Sequence, residues 1–505
     1  MKTVNQLKAG AALNYIILGL NALTGLLYTP YMLRMLGQSE YGIYSLASSV
    51  IAYLSMLDFG FGNAVIRYTA KYRSEDRKEE QYELFGMFTK MYSVICLLVL
   101  LAGVILYFSL DTMFGATLTA TELSRTKIIV LLMIFNLAFS FPLSIYGAII
   151  TAYENFVFLR LIQIARILLN IAVMIALLHF GYKAVAMVVV NTVFNFVTLG
   201  INIFYCRKKL NVKIRFTKIK WSLFSEIAVY SFWIFLNVIM DRIYWSTGQF
   251  ILGAFSGTVA IAIFSVAVHI EGIYMTFSTA ISGVFLPRVT AMVTKKGSEK
   301  EVSDLFIRTG RIQYCILAFI LSGFIVFGEG FINIWAGKNY QDAYLIALIF
   351  MVPLTIPLIQ NMGIVILQAR NQMKFRSLLY IVIALVSLCF QIPLAKYYGG
   401  VGCAWAISGA LVIGQIIILN IYYQKKQGID MMRFWKEILK MSVVPCLVVI
   451  ATVFMLSKFQ IDSIARFLIA GLVFSIIYIP LFWRFSMNQY ERDLVFTPLK
   501  RLRLK

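Results

Sequence analysis

Ionisable side chains stand inside long apolar runs of this chain: Asp241 and Arg242, His269 and Glu271, and Arg166, with Asp58 nearer the end of its run and Arg67 just beyond it. Near the middle of a membrane helix such a charge costs about 2.5–3.5 kcal/mol, so it must face a partner or a watery cavity. Asn237, Asp241, Tyr244 and Gly248 recur at helical spacing and share one face, which suits the wall of a passage. Arg242 sits about 100° round the helix, at the border of that stripe. The bland alternative for Asp241 and Arg242 is a local ion pair with another helix.

Arg166 shares a face with Gln163 and Asn170. A guanidinium fork can hold two oxygens of a diphosphate, and pairing between helices is its competing role. His269 and Glu271 point about 200° apart, so one of them is expected to face a cavity. A carboxyl group at that depth can exchange H⁺ or Na⁺ once per transport cycle, which makes Glu271 the candidate for ion coupling, with a hydrogen bond to a neighbouring helix as the alternative. Neutral polar stripes stand at Asn14, Asn21 and Tyr28, at Asn136, Ser140, Ser144 and Gly147, and at Asn191, Asn195, Thr198 and Asn202. The last two sets read as glue between helices.

Nothing here assembles a catalytic or metal constellation. The six cysteines, at 96, 206, 315, 389, 403 and 446, form no CxxC pair and no cluster, so neither a disulfide framework nor a metal site is expected. An enzyme would also need a positioned base or metal on a sizeable loop, and the loops opposite the basic ones are too short.

The elements that carry these groups are apolar runs long enough to cross a bilayer, about 20 residues each. They fall near 10–36, 41–66, 84–110, 126–152, 157–179, 183–206, 222–252, 258–286, 311–334, 343–369, 376–396, 400–424, 438–457 and 463–484. The expected fold is therefore all-α and integral to the membrane, with fourteen transmembrane helices. Of the 505 residues 60% are hydrophobic and 14% charged, with a mean hydropathy of +0.81. The charge of +23 comes from 46 Lys and Arg against 23 Asp and Glu. Its distribution excludes a nucleic-acid partner, because the basic residues cluster in alternate loops, such as RKKLNVKIRFTKIK at 207–220. With both termini in the cytoplasm, about 35 of them fall inside and about 8 outside.

The chain also resembles itself at a displacement of about 216–221 residues. IRYTAK at 66–71 matches PRVTAM at 287–292, Leu84-Phe85 matches Leu305-Phe306, and Lys208-Lys209 matches Lys425-Lys426. Six spans per copy is an even number, so both copies enter from the same side, in a parallel pseudo-two-fold repeat. This gives a six-helix lobe over 1–206, a basic linker over 207–221, a second six-helix lobe over 222–426, and a C-terminal helix pair with a basic tail over 427–505. Paired lobes of this type enclose a midplane site and alternate its access.

The segment LGQSEYGIYSLASSVIAYLSMLDFGFGNAVIRYTAKY, Leu36 to Tyr72, resembles the opening of the polysaccharide (Wzx-type) flippases, in the multidrug/oligosaccharidyl-lipid/polysaccharide exporter superfamily. FLPRVTA at 285–291 looks like its counterpart in the second lobe. The resemblance implies transport of an undecaprenyl-diphosphate-linked oligosaccharide across a bacterial plasma membrane during surface-polysaccharide assembly. It implies alternating access and some ion coupling, no cofactor, and membrane lipids, a polymerase or glycosyltransferases as partners. It also places Asp58 and Arg67 in the matching segment, and the first and seventh spans at the lobe interface, where Asn14 and Asn21 would line the cavity. A peptidoglycan-precursor or other lipid flippase and a multidrug exporter of the same superfamily remain as alternatives, with a membrane glycosyltransferase or polymerase further off.

Overall fold

A computed structural model describes residues 3–217, 221–282, 292, 299–370, 372–456 and 463–494, and every regular element among them is helical. The chain forms two compact units, 1–262 and 263–505. The first contains α1 (Thr3–Leu23), α2 (Thr29–Leu54), α3 (Phe61–Ser74), α4 (Lys78–Phe114), α5 (Ala120–Ala152), α6 (Phe156–His179), α7 (Ala184–Lys208), α8 (Trp221–Phe255) and the first turns of α9 (Gly257–Ser282). The second contains the rest of α9, then α10 (Glu299–Trp335), α11 (Ala343–Ile359), α12 (Asn361–Ala369), α13 (Met373–Leu411), α14 (Leu419–Lys426), α15 (Met431–Leu456) and α16 (Ile464–Phe485).

Ten helical runs among the described residues are long and apolar enough to cross a membrane, and the pair α11 and α12, bent by 40°, makes eleven. Two of the ten, 9–74 and 373–426, are broken at Gly37 (φ 76°) and Gly399 (φ 55°), so each holds two spans. Adding α8, whose 35 residues reach about 52 Å, accommodates the fourteen expected spans.

Left-handed glycines mark the duplication. Gly37 is repeated by Gly257 (φ 81°) 220 positions on, and Gly181 (φ 83°) by Gly399, 218 positions on. A positive φ is nearly free for glycine and costs about 1–2 kcal/mol for other residues, and it falls at corresponding places in both copies. The matching FLPRVTA segment at 285–291 lies outside the described residues.

Two expected boundaries are corrected. The second span does not run unbroken over 41–66: after α2 comes a 3₁₀ turn, Ser55–Asp58, and then two left-handed residues, Phe59 (φ 52°) and Gly60 (φ 71°), before α3 begins. Phe59 is held there by packing its ring 4.5 Å from that of Phe235. The helix that carries the ninth span starts before 311, since α10 begins at Glu299 and carries Arg311 well inside it.

The connector after α7 is docked rather than loose. Its Arg215 carbonyl passes so close to α4 that a Cβ on Gly86 would stand 1.8 Å from it. The Arg215 amide donates to the Tyr82 carbonyl at 3.1 Å, and the Arg215 guanidinium pairs with Glu79.

Candidate functional site

Helices α5, α6 and α7 are joined by amide hydrogen bonds in the first unit. Asn195 Nδ2 donates to Asn136 Oδ1 at 2.8 Å and to Ser140 Oγ at 2.7 Å, while Asn170 Nδ2 donates to Asn191 Oδ1 at 2.7 Å. Arg166 joins the first of these sets, its Nη1 donating to Asn195 Oδ1 at 3.3 Å, and the Asn170–Asn191 pair is a second set. In an apolar bundle each such group needs a partner, which fixes the rotation of the three helices about their axes.

Beside this network lies a hollow of about 340 Å³ between α2, α5 and α7. Its polar lining is Tyr44, Ser48, Ser55, Asn136, Ser140 and Asn191. The stripes of the fourth and sixth spans therefore bind helices together and also face open space. Sequence alone signals the stripes and cannot show that α2 stands far enough away to leave room.

Arg166 is half-buried, and among the described residues no carboxylate lies within ion-pair distance of it. Its one hydrogen bond is to a neutral amide, so its charge is oriented and left uncompensated. Arg242 and Asp241 are exposed on α8, and Arg242 likewise has no ion-pair partner among the described residues. Tyr244, expected on the wet stripe, is fully buried with its ring edge-on to Trp245 at 4.7 Å. The side chain of Asn237 lies outside the described residues.

Asp58 accepts a hydrogen bond from the buried Tyr92 hydroxyl at 3.0 Å, at the break between α2 and α3. Arg67 is exposed, 5.8 Å above the ring of Tyr68. On α1, Asn14 is partly buried and Asn21 exposed. In the second unit His269 stacks on Trp335 with ring centroids 6.1 Å apart. Glu271 is buried, and its Oε1 has no hydrogen-bond partner among the described residues. Among the described residues Arg166 forms no hydrogen bond or ion pair with Asp58, Asp241 or Arg242.

Two ion clusters are absent from the sequence reading. Glu40, 3% exposed, pairs with Arg125 and accepts from the Ala184 amide at 3.3 Å. Arg311, also buried, is gripped by Glu491 through Nε at 2.5 Å and Nη2 at 2.9 Å, and by Glu437 at 2.7 Å. Both sit in charge-rich stretches that read as solvated loops, which hides them.

Fold and composition define a multi-span helical membrane protein with an internal duplication. A family model described as "Polysaccharide biosynthesis protein" matches residues 7–293, more than half of the chain, and the chain belongs to that family. Two Shigella proteins, each named "Putative O-antigen transporter", are related to it. The Shigella flexneri protein is 19% identical over 404 residues, covering 78% of this chain and 92% of that one. The Shigella dysenteriae protein is 25% identical over 202 residues, 39% of this chain, so that the match spans only 46% of its length. Among solved structures the fold is similar to the lipid II flippase MurJ in an inward closed conformation, with a TM-score of 0.73 at 16% identity over 94% of this chain and 98% of that one. It is also similar to an inward-facing multidrug resistance MATE family transporter of the MOP superfamily, with a TM-score of 0.60 at 13% identity over 82% and 97%.

Proposed function

We propose that this chain is a flippase that carries an undecaprenyl-diphosphate-linked oligosaccharide from the inner to the outer leaflet of a bacterial plasma membrane, by alternating access, for surface polysaccharide biosynthesis. Family membership and the names of its relatives support the pathway. The carrying observation is Arg166: a guanidinium kept half-buried, held by an amide and without a carboxylate partner among the described residues. Such a group offers its remaining N–H donors to a phosphate oxygen. Arg242 supplies a second cation without an ion-pair partner among the described residues, and the lipid tail stays in the bilayer.

In this reading both termini are cytoplasmic and Glu271 exchanges H⁺ or Na⁺. Polymerase or glycosyltransferases hand over and receive the glycan. A multidrug exporter for cations is less well supported, because the hollow in the first unit has no acidic lining.

The test is export of a defined lipid-linked glycan in a flippase-null strain. The wild-type chain restores export, and an Arg166→Ala, Arg242→Ala double variant at normal protein level does not. Full export by that variant refutes the role of the arginines. Failure of the wild type while a peptidoglycan-precursor defect is rescued moves the substrate to that class. Glu271→Gln with full transport and unchanged ion dependence removes the coupling assignment.

A further inference from the structure

The geometry points to the hollow between α2, α5 and α7 as a subsite for a neutral sugar of the carried glycan, read by its hydroxyl or acetamido groups. This rests on the proposed transport of a lipid-linked glycan and adds where its sugar is recognised.

Asn136 and Asn191 each have Oδ1 occupied by an amide from a neighbouring helix, at 2.8 and 2.7 Å. Their carboxamides are thereby oriented, and both Nδ2 groups are without a partner among the described residues. Serine hydroxyls in the same lining have the complementary state. Ser48 Oγ donates to the Tyr44 carbonyl at 2.8 Å and Ser55 Oγ to the Ala52 carbonyl at 2.7 Å, which spends their protons and leaves their oxygens as acceptors. Amide donors on α5 and α7 thus share the lining of the hollow with hydroxyl acceptors on α2 and on the 3₁₀ turn after it. Sugar hydroxyls, which both donate and accept, satisfy both sets at once.

Charge sharpens the class. No Asp, Glu, Lys or Arg lines the hollow, so neither a diphosphate nor a cationic drug finds a counter-ion there. Its volume of 340 Å³ lies at the small end of the range for ligand sites, roughly 300–1,000 Å³. Arg166 stands one amide away, through Asn195, so an anionic group at the guanidinium and a neutral ring in the hollow are neighbours.

The experiment measures binding to the purified full chain of two probes, undecaprenyl diphosphate and the same carrier bearing one N-acetylhexosamine. Wild type is expected to bind the sugar-bearing carrier about tenfold tighter, the equivalent of one or two neutral hydrogen bonds. Ala52→Phe, which fills the hollow, is expected to erase that preference while still binding the sugar-free carrier. Ser48→Ala, which removes one acceptor with little change of shape, is expected to reduce it severalfold. Equal affinity of wild type for the two probes overturns the subsite and leaves the flippase reading standing. Loss of affinity for both probes alike in Ala52→Phe and Ser48→Ala also overturns it. Binding of neither probe by wild type overturns the flippase reading itself.

Discussion

Lys90 on α4 donates to the carbonyl oxygen of Thr217 at 2.8 Å, so a cation inside an apolar helix is spent on the connector that follows α7. The basic stretch read from sequence as a bare link is laid across α4, with the Phe216 ring 5.9 Å from the same ammonium group. Gly86 is what lets it lie there, since any Cβ would strike the Arg215 carbonyl. Gly86→Leu is expected to undock the connector at a cost of about 1–3 kcal/mol, the usual range for overpacking. Limited proteolysis should then cut within 209–217 at least several times faster than in wild type, and unchanged cutting would show that the docking is weak.

Glu122 holds a second crossing point. It accepts from Ser39 at 2.5 Å, Thr258 at 2.8 Å and the Thr119 amide at 2.9 Å, closing a capping box at the start of α5. Glu122→Ala should lower stability by about 2 kcal/mol, combining a lost cap with charge-assisted hydrogen bonds. A double-mutant cycle with Thr258→Val should give a coupling of about 1 kcal/mol or more by thermal unfolding in detergent. Additive effects would mean that the Thr258 bond contributes nothing.

Arg311 is buried between two carboxylates of later helices, and removing one member leaves the others uncompensated. Arg311→Met alone should cost about 3–5 kcal/mol, and Arg311→Met with Glu491→Gln distinctly less. Truncation just before Glu491 should reproduce much of the single-variant loss. Folded yield by size-exclusion chromatography compares the three.

The repeated glycines give a conformational test. Gly37, Gly181 and Gly399 have positive φ, and a Cβ at each would meet nothing within 4 Å. Gly37 (ψ 172°) and Gly399 (ψ −135°) lie outside the basin that Asn tolerates, so alanine and asparagine there should each cost the backbone term, about 1–3 kcal/mol. An unchanged melting temperature in Gly399→Ala would contradict this account.

Reading the sequence exposed the spans, because each must cover its own backbone polar groups and can do so only as an apolar helix of fixed minimum length. It exposed the repeat too, through residues such as Lys208-Lys209 and Lys425-Lys426 that end helices in both copies. The asparagines of the fourth and sixth spans were legible as a pattern, and their joint role at a hollow was not. Where Arg311 finds Glu491, 180 positions away, nothing local announces it. Period and hydropathy are properties of neighbouring residues, so the amino-acid order determined which segments enter the bilayer and which polar groups go with them. Whether a given asparagine or arginine meets a partner, a void or a passing main chain depends on helix rotation and spacing, set by distant packing, and only the tertiary structure decided it.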